Sequence, residues 1–228
     1  MKHLYSAVLT LTSVVALAVP ALAVNDLRIS QVYGAGGNAG ATYNADFVEL
    51  YNAGTSAASL TGFSIQYAAT TGTSWTRANL SGSVAPGGYF LIQMSATGAN
   101  GAALPAPDAA PASISMAAGA GKVALVSNQT TITSGTSCPA TSILDFVGYG
   151  SGTNCFEGGG PTATISATLS AARKNSFTNK NIDTDSNSAD FVTTTPCPRN
   201  SAVAPGTDPC GPTPTLRSAW GTLKSLYR

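Results

Sequence analysis

The chain has 228 residues, only 9% of them charged, and its 11 basic and 10 acidic side chains leave a net charge of +1. A balance this close to neutral excludes global attraction to nucleic acid or anionic lipid. Thr, Ser, Ala, Gly and Asn fill the places that Glu and Lys usually take, which argues against long solvent-exposed helices.

Residues 1–23 read as a secretory signal. Lys2 and His3 give a positive start, an apolar run extends from Ala7 to Val19, and Pro20 precedes the small-x-small site Ala21-Leu22-Ala23. The run is shorter than the ~20 apolar residues that span a bilayer. The mature chain is therefore expected to begin at Val24, with no transmembrane segment after it and a secreted, cell-surface or periplasmic location.

Short β-patterned runs follow, beginning with Leu27 to Tyr33. In Asp46 to Tyr51, Phe47, Glu49 and Tyr51 fall on one face and Val48 and Leu50 on the other. Phe63, Ile65 and Tyr67 alternate with Ser64 and Gln66. Tyr89 to Met94 is dense enough for a strand buried on both faces, and Lys122 to Ser127 and Ile143 to Tyr149 are two more. Turn chemistry separates them, as at Asn52-Ala53-Gly54 and Pro86-Gly87-Gly88. Many short strands with such punctuation predict an all-β sandwich or barrel. Ser95 to Ala112 and Asn175 to Asn187 read as long loops. Gly34 to Gly40 lacks the Gly-Lys-Ser/Thr of a phosphate loop and reads as a turn between two strands. After the stiff spacer Cys210-Gly211-Pro212-Thr213-Pro214, residues Leu216, Trp220, Leu223 and Tyr227 share one helical face beside Arg217, Lys224 and Arg228. This short amphipathic tail either caps the sandwich or docks to an envelope component. The expected organisation is a signal over 1–23, a domain over 24–210, and a linker with a basic amphipathic tail over 211–228.

Four cysteines in an exported chain imply bridges. Of the three pairings, Cys138–Cys155 and Cys197–Cys210 are preferred, because each closes a short Gly/Pro-rich loop; Cys-x-x-Cys zinc spacing is absent. His3, the sole histidine, lies in the signal, which removes Ser-His-Asp triads, Cys-His pairs and histidine metal sites together. Glu49 reads as a strand residue bonded to a backbone amide or to Arg. Asp183, Asp185, Asn187 and Asp190 are the candidate metal ligands, since alternate oxygen side chains on a loop suit calcium. Ser188 and Thr194 stand where an EF-hand needs Gly and Glu, so that motif is excluded. The alternative is a set of Asx turns beside Arg173, Lys174 and Lys180. Tyr33, Tyr43, Tyr51, Tyr67 and Trp75 read as cross-strand packing rather than a sugar-binding face.

Leu27-Arg-Ile-Ser-Gln-Val-Tyr-Gly34, Asp46-Phe-Val-Glu-Leu-Tyr-Asn52, Leu60-Thr-Gly-Phe-Ser-Ile-Gln-Tyr67, Pro86-Gly-Gly-Tyr-Phe-Leu91, Lys122-Val-Ala-Leu125 and Asp145-Phe-Val-Gly-Tyr-Gly150 occur in this order. Together with Asp183 to Asn187, Asp190 and Phe191, they resemble bacterial lamin tail domains of the exported type over roughly residues 27 to 200. The resemblance implies an immunoglobulin-like β-sandwich with a role in adhesion, targeting or recognition, Phe63 standing where a Trp is common. Exported relatives often carry a metal-dependent nuclease or phosphodiesterase domain after this module, and none follows in this sequence.

The reading is a non-catalytic exported recognition, adhesion or targeting module, not an enzyme, with no required cofactor except a candidate calcium ion. Its partner is an extracellular or envelope ligand, protein or glycan, and not nucleic acid. An accessory module for a separately encoded nuclease or hydrolase and a structural cell-surface protein are the alternatives.

Overall fold

The computed structural model describes residues 26–110, 112–174, 182–205, 207 and 209–210. The signal, residues 175–181 and the tail over 211–228 lie outside the described residues. In chain order the elements are β1 (Leu27–Tyr33), β2 (Phe47–Asn52), β3 (Ala58–Ser59), β4 (Ser64–Ala69), β5 (Thr76–Asn79), β6 (Ser83–Val84), β7 (Tyr89–Gln93), β8 (Gly121–Val126), β9 (Ile143–Tyr149), β10 (Ser170–Arg173), α1 (Asn187–Asp190) and β11 (Phe191–Thr194). One sheet has the order β11-β10-β1-β2-β7 and the other β5-β4-β8-β9, while β3 and β6 pair separately. Every strand pairing is antiparallel. This is the expected immunoglobulin-like β-sandwich.

Alternation builds the core. Val48 and Leu50 of β2, Phe90 and Ile92 of β7, Ile65 and Tyr67 of β4, Val123 and Leu125 of β8 and Val147 and Tyr149 of β9 meet in one apolar cluster. In β1 the alternation is reset by a bulge between Ile29 and Gln31. Leu27 and Ile29 point inward before it and Val32 after it. Gln31 is thereby turned to the outer face, because one extra residue reverses the parity of everything that follows.

Neither outer face is bare. On the four-stranded sheet, residues 127–142 form a strap across Ser64, Gln66, Trp75 and Lys122. Gln66 donates to the Thr130 carbonyl and accepts from the Ile132 amide, both at 2.9 Å, and Trp75 Nε1 donates to the Thr136 carbonyl at 2.8 Å. Lys122 Nζ is held by the carbonyls of Gly72 and Ser137 and by Asn154 Oδ1 at 2.7–3.0 Å, with the Trp75 ring 5.5 Å away. Burial pushes its pKa below the usual lysine value. On the five-stranded sheet the covering segment is 195–205. Gln31 donates to the Cys197 carbonyl at 3.1 Å and accepts from its amide at 2.9 Å. Both glutamines thus offer a side-chain amide as a substitute peptide group, which satisfies strap backbone that would otherwise be buried without a partner.

A disulfide anchors each strap: Cys138–Cys155 with Cα atoms 5.2 Å apart, and Cys197–Cys210 with 5.9 Å. The segment between β1 and β2 is a turn that needs glycine. A Cβ on Gly36 would sit 1.9 Å from the Ala45 carbonyl carbon, and no side chain fits there.

Candidate functional site

The sandwich has two open sides where its sheets diverge. Beside β7 the opening is filled by the long loop: Gln93 and Ala109, and Leu91 and Asp108, are joined by backbone hydrogen bonds. Between β9 and β10 it is filled by charge. Asp145 shares its inward parity with Val147 and Tyr149, and Arg173 shares that of Ala171, so the two face each other inside the molecule.

The Arg173 guanidinium is fully buried. Its Nη2 bonds both Asp145 carboxylate oxygens at 2.7–2.8 Å. Nη1 reaches Asp183 at 3.0 Å, the Ile182 carbonyl at 3.1 Å and Asp190 at 3.4 Å, and Nε donates to the Ile29 carbonyl at 3.0 Å. The Phe191 ring lies 4.5 Å from the guanidinium carbon. Asp145 in turn accepts the Ile29 amide. The amide and carbonyl of Ile29, both next to the β1 bulge, are therefore satisfied by opposite halves of one ion pair. Burial pushes the Asp145 carboxyl up to about 6 against the pull of Arg173.

Glu157 joins the same group. Asp145, Glu157 and Asp183 each offer a carboxylate oxygen within 4.8 Å of the others. Burial first, and then the charges of Asp145 and Asp183, raise Glu157 from 4.5 to about 8. The shift favours the protonated carboxyl, whose Oε2 accepts from Asn187 Nδ2 at 3.0 Å.

The four residues predicted as calcium ligands fall around this centre with separate duties. Asp183 is half-buried and pairs with Arg173 and, at 3.5 Å, with Arg28. Asp190 is buried; it accepts the Thr184 amide and hydroxyl and the Ser186 amide, and closes the loop on itself. Asp185 is exposed, with a left-handed φ of 52° and its amide 3.4 Å from Asp183. Asn187 is buried and points the other way, towards β9. Its Nδ2 donates to the Phe146 carbonyl and its Oδ1 accepts the Gly148 amide, both at 2.8 Å. It also bonds the Glu157 amide and carboxyl. Asn187 so completes the outer ladder of β9 as a neighbouring strand would. The described residues bring Asp183 and Asp190 together on Arg173; Asp185 and Asn187 are not directed to that point. The Asn187 role predicts that Asn187→Leu, which leaves a strand amide and carbonyl unpaired, costs about 2–4 kcal/mol, read from urea unfolding. A loss below about 0.5 kcal/mol, on the scale of a surface substitution, would refute the ladder role.

Sequence reasoning placed Glu49 correctly and missed the partners of Asp145. Glu49 accepts the Arg199 amide at 2.6 Å and its guanidinium at 2.7 and 3.1 Å, with Arg199 stacked 3.9 Å over Tyr89. For Asp145, the available signal was a carboxylate at inward parity in an otherwise apolar strand, which requires a buried cation. Of the five aromatics, Tyr33, Tyr51, Tyr67 and Trp75 are buried, and Tyr43 is half-buried with its ring edge-on to Phe47 at 6.2 Å.

The family model described as Lamin Tail Domain matches residues 20–149, more than half of the chain. No curated protein matches it. Among the described residues, no helix is long and apolar enough to cross a membrane.

Proposed function

The chain belongs to the lamin tail domain family, and from that premise we propose that it is a non-catalytic, exported recognition module whose partner is a protein or a glycan outside the cytoplasm. The observation that carries this reading is the use to which the charged side chains are put. Glu49, Asp145, Arg173 and Arg199 are committed to ion pairs inside the fold, so they hold the scaffold rather than face a substrate. Straps occupy both flat faces, which leaves loops for contact, and loops on a rigid sandwich are where binding residues concentrate. Two disulfides in a small domain suit an oxidising compartment. The protein beginning at Val24 should bind glycans or envelope proteins in a solid-phase screen and leave DNA unbound. Turnover of a phosphodiester or glycosidic substrate by the purified protein would sink the reading.

Calcium is the second reading, favoured by the convergence of Asp145, Glu157 and Asp183. A divalent ion would displace the Glu157 proton and take oxygens from all three. Millimolar calcium is then expected to raise the melting temperature of the unmodified protein, and Glu157→Gln to reduce the rise. An unchanged melting temperature in calcium removes this site.

A further inference from the structure

We propose that the cleft formed by the 127–142 strap binds a single unit of a neutral glycan, an inference that rests on the recognition reading and names its ligand class. The cleft opens among the strap residues beside Val126, the last residue of β8, and has a volume of about 190 Å³. Thr130, Thr131, Thr133, Thr136 and Thr141 line it, and none of their hydroxyls is engaged by another protein group among the described residues. Each hydroxyl rotates to donate or to accept, which is the duality a sugar hydroxyl requires of its partner. Ile132, Pro139 and Ala140 add apolar surface for the C–H face of a ring.

Every residue lining the cleft is neutral. An anionic sugar would lose hydration there without gaining a cation, so uronates and sulfated sugars are disfavoured. The volume lies below the ~300–1,000 Å³ of drug-sized pockets, which restricts the site to one ring. The wall is also stiff. Gln66 fixes Thr130 and Ile132, Trp75 fixes Thr136, Lys122 fixes Ser137, and the Cys138–Cys155 bridge closes the strap. Ser142, at the edge of the cleft, holds a left-handed φ of 63°. Little ordering is left to be done when a ligand arrives, which favours affinity for small polar molecules.

The test is a titration of the protein beginning at Val24 with glucose, galactose, mannose, N-acetylglucosamine and glucuronate, followed by heteronuclear NMR. A parallel arm sediments the protein with insoluble neutral polysaccharide and separates free sugar from a surface polymer as the source. At least one neutral sugar should bind with a Kd of about 1 mM, and glucuronate should not. Thr131→Val/Thr133→Val keeps the shape of both side chains, and should weaken binding about tenfold or more with an unchanged melting temperature. Thr97→Val, at an exposed position outside the cleft, should leave binding unaltered. Equal binding by the double variant, preference for glucuronate, or no sugar binding while a protein partner is captured would overturn this inference and leave the recognition reading standing. Failure of every ligand class would overturn both.

Discussion

Arg173→Met is expected to destabilise the domain by about 3–5 kcal/mol, the cost of breaking a buried ion pair from one side. The size of the effect comes from what is left behind. Asp145 and Asp190 are each about 1% exposed at the side chain, so neither can regain its lost partner from water. The Ile29 carbonyl loses its donor as well. Arg173→Lys should recover little, because a single ammonium cannot meet two Asp145 oxygens, Asp183, Asp190 and the Ile29 carbonyl in one geometry. Arg173→Met/Asp145→Asn should recover part of the loss by removing the stranded charge, and the double-mutant cycle then gives the coupling. Urea unfolding at pH 7 is the measurement. A loss below about 1 kcal/mol for the single substitution, far under the cost of a stranded buried charge, would show that the centre is hydrated in solution.

This centre marks where the sequence stops being readable. Ile143–Tyr149 and Leu27–Tyr33 are strands with the expected ends, because long apolar alternation announces itself locally. Glu49 was legible for a related reason: a carboxylate between Val48 and Leu50 on a strand must meet a donor. β10 and β11 were not read as strands. Ser170-Ala-Ala-Arg173 has neither length nor apolar contrast, and it is a strand only because β1 offers a free edge at Gln31 and Val32. The straps were illegible too. The alternation of Ser64 and Gln66 against Ile65 and Tyr67 gave the correct two faces, but it could not show that the polar face is buried as well. That burial depends on residues 127–142 folding back, a contact some 65 positions away in sequence. Asp183, Asp185, Asn187 and Asp190 illustrate the same limit. Their oxygen-rich spacing is visible locally, but the Arg173 guanidinium that engages Asp183 and Asp190 and the edge of β9 that engages Asn187 are not.

The covering segments also bear on where a partner meets the molecule. An immunoglobulin-like sandwich commonly offers a sheet face or its end loops; here Gln31, Glu49 and Arg199 seal one face, and Gln66, Trp75 and Lys122 seal the other. Scarcity of surface charge and abundance of threonine are then two aspects of one arrangement. Glu49, Lys122, Asp145, Arg173 and Arg199 are used internally to fasten straps and close an open side, and the solvent sees mostly hydroxyls and amides.

Stability is expected to fall as pH rises from about 5 to 9, the reverse of ordinary acid denaturation. Glu157 lies among Asp145, Asp183 and Asp185, with Arg173 the cation within the group. Burial foremost, and then these like charges, lift its carboxyl from 4.5 to about 8. The folded state consequently binds a proton more tightly than the unfolded chain does. That contribution is complete below about pH 4.5 and is lost as pH climbs through about 8. Asp46 and Asp145, each raised from 3.8 to about 6 mainly by burial, act with the same sign in a lower window, between about 4 and 6. Glu157 is partly open to solvent, so screening reduces the change it controls to about 2 kcal/mol, or roughly 4–8 °C in melting temperature. Glu157→Gln keeps an oxygen for the Asn187 amide and can never ionise. Its melting temperature should exceed that of the parent at pH 9, match it near pH 5, and vary less between. Calorimetry across that range decides the matter. Parallel curves for the two proteins would mean that Glu157 is already ionised at neutral pH and that its proton contributes nothing to stability.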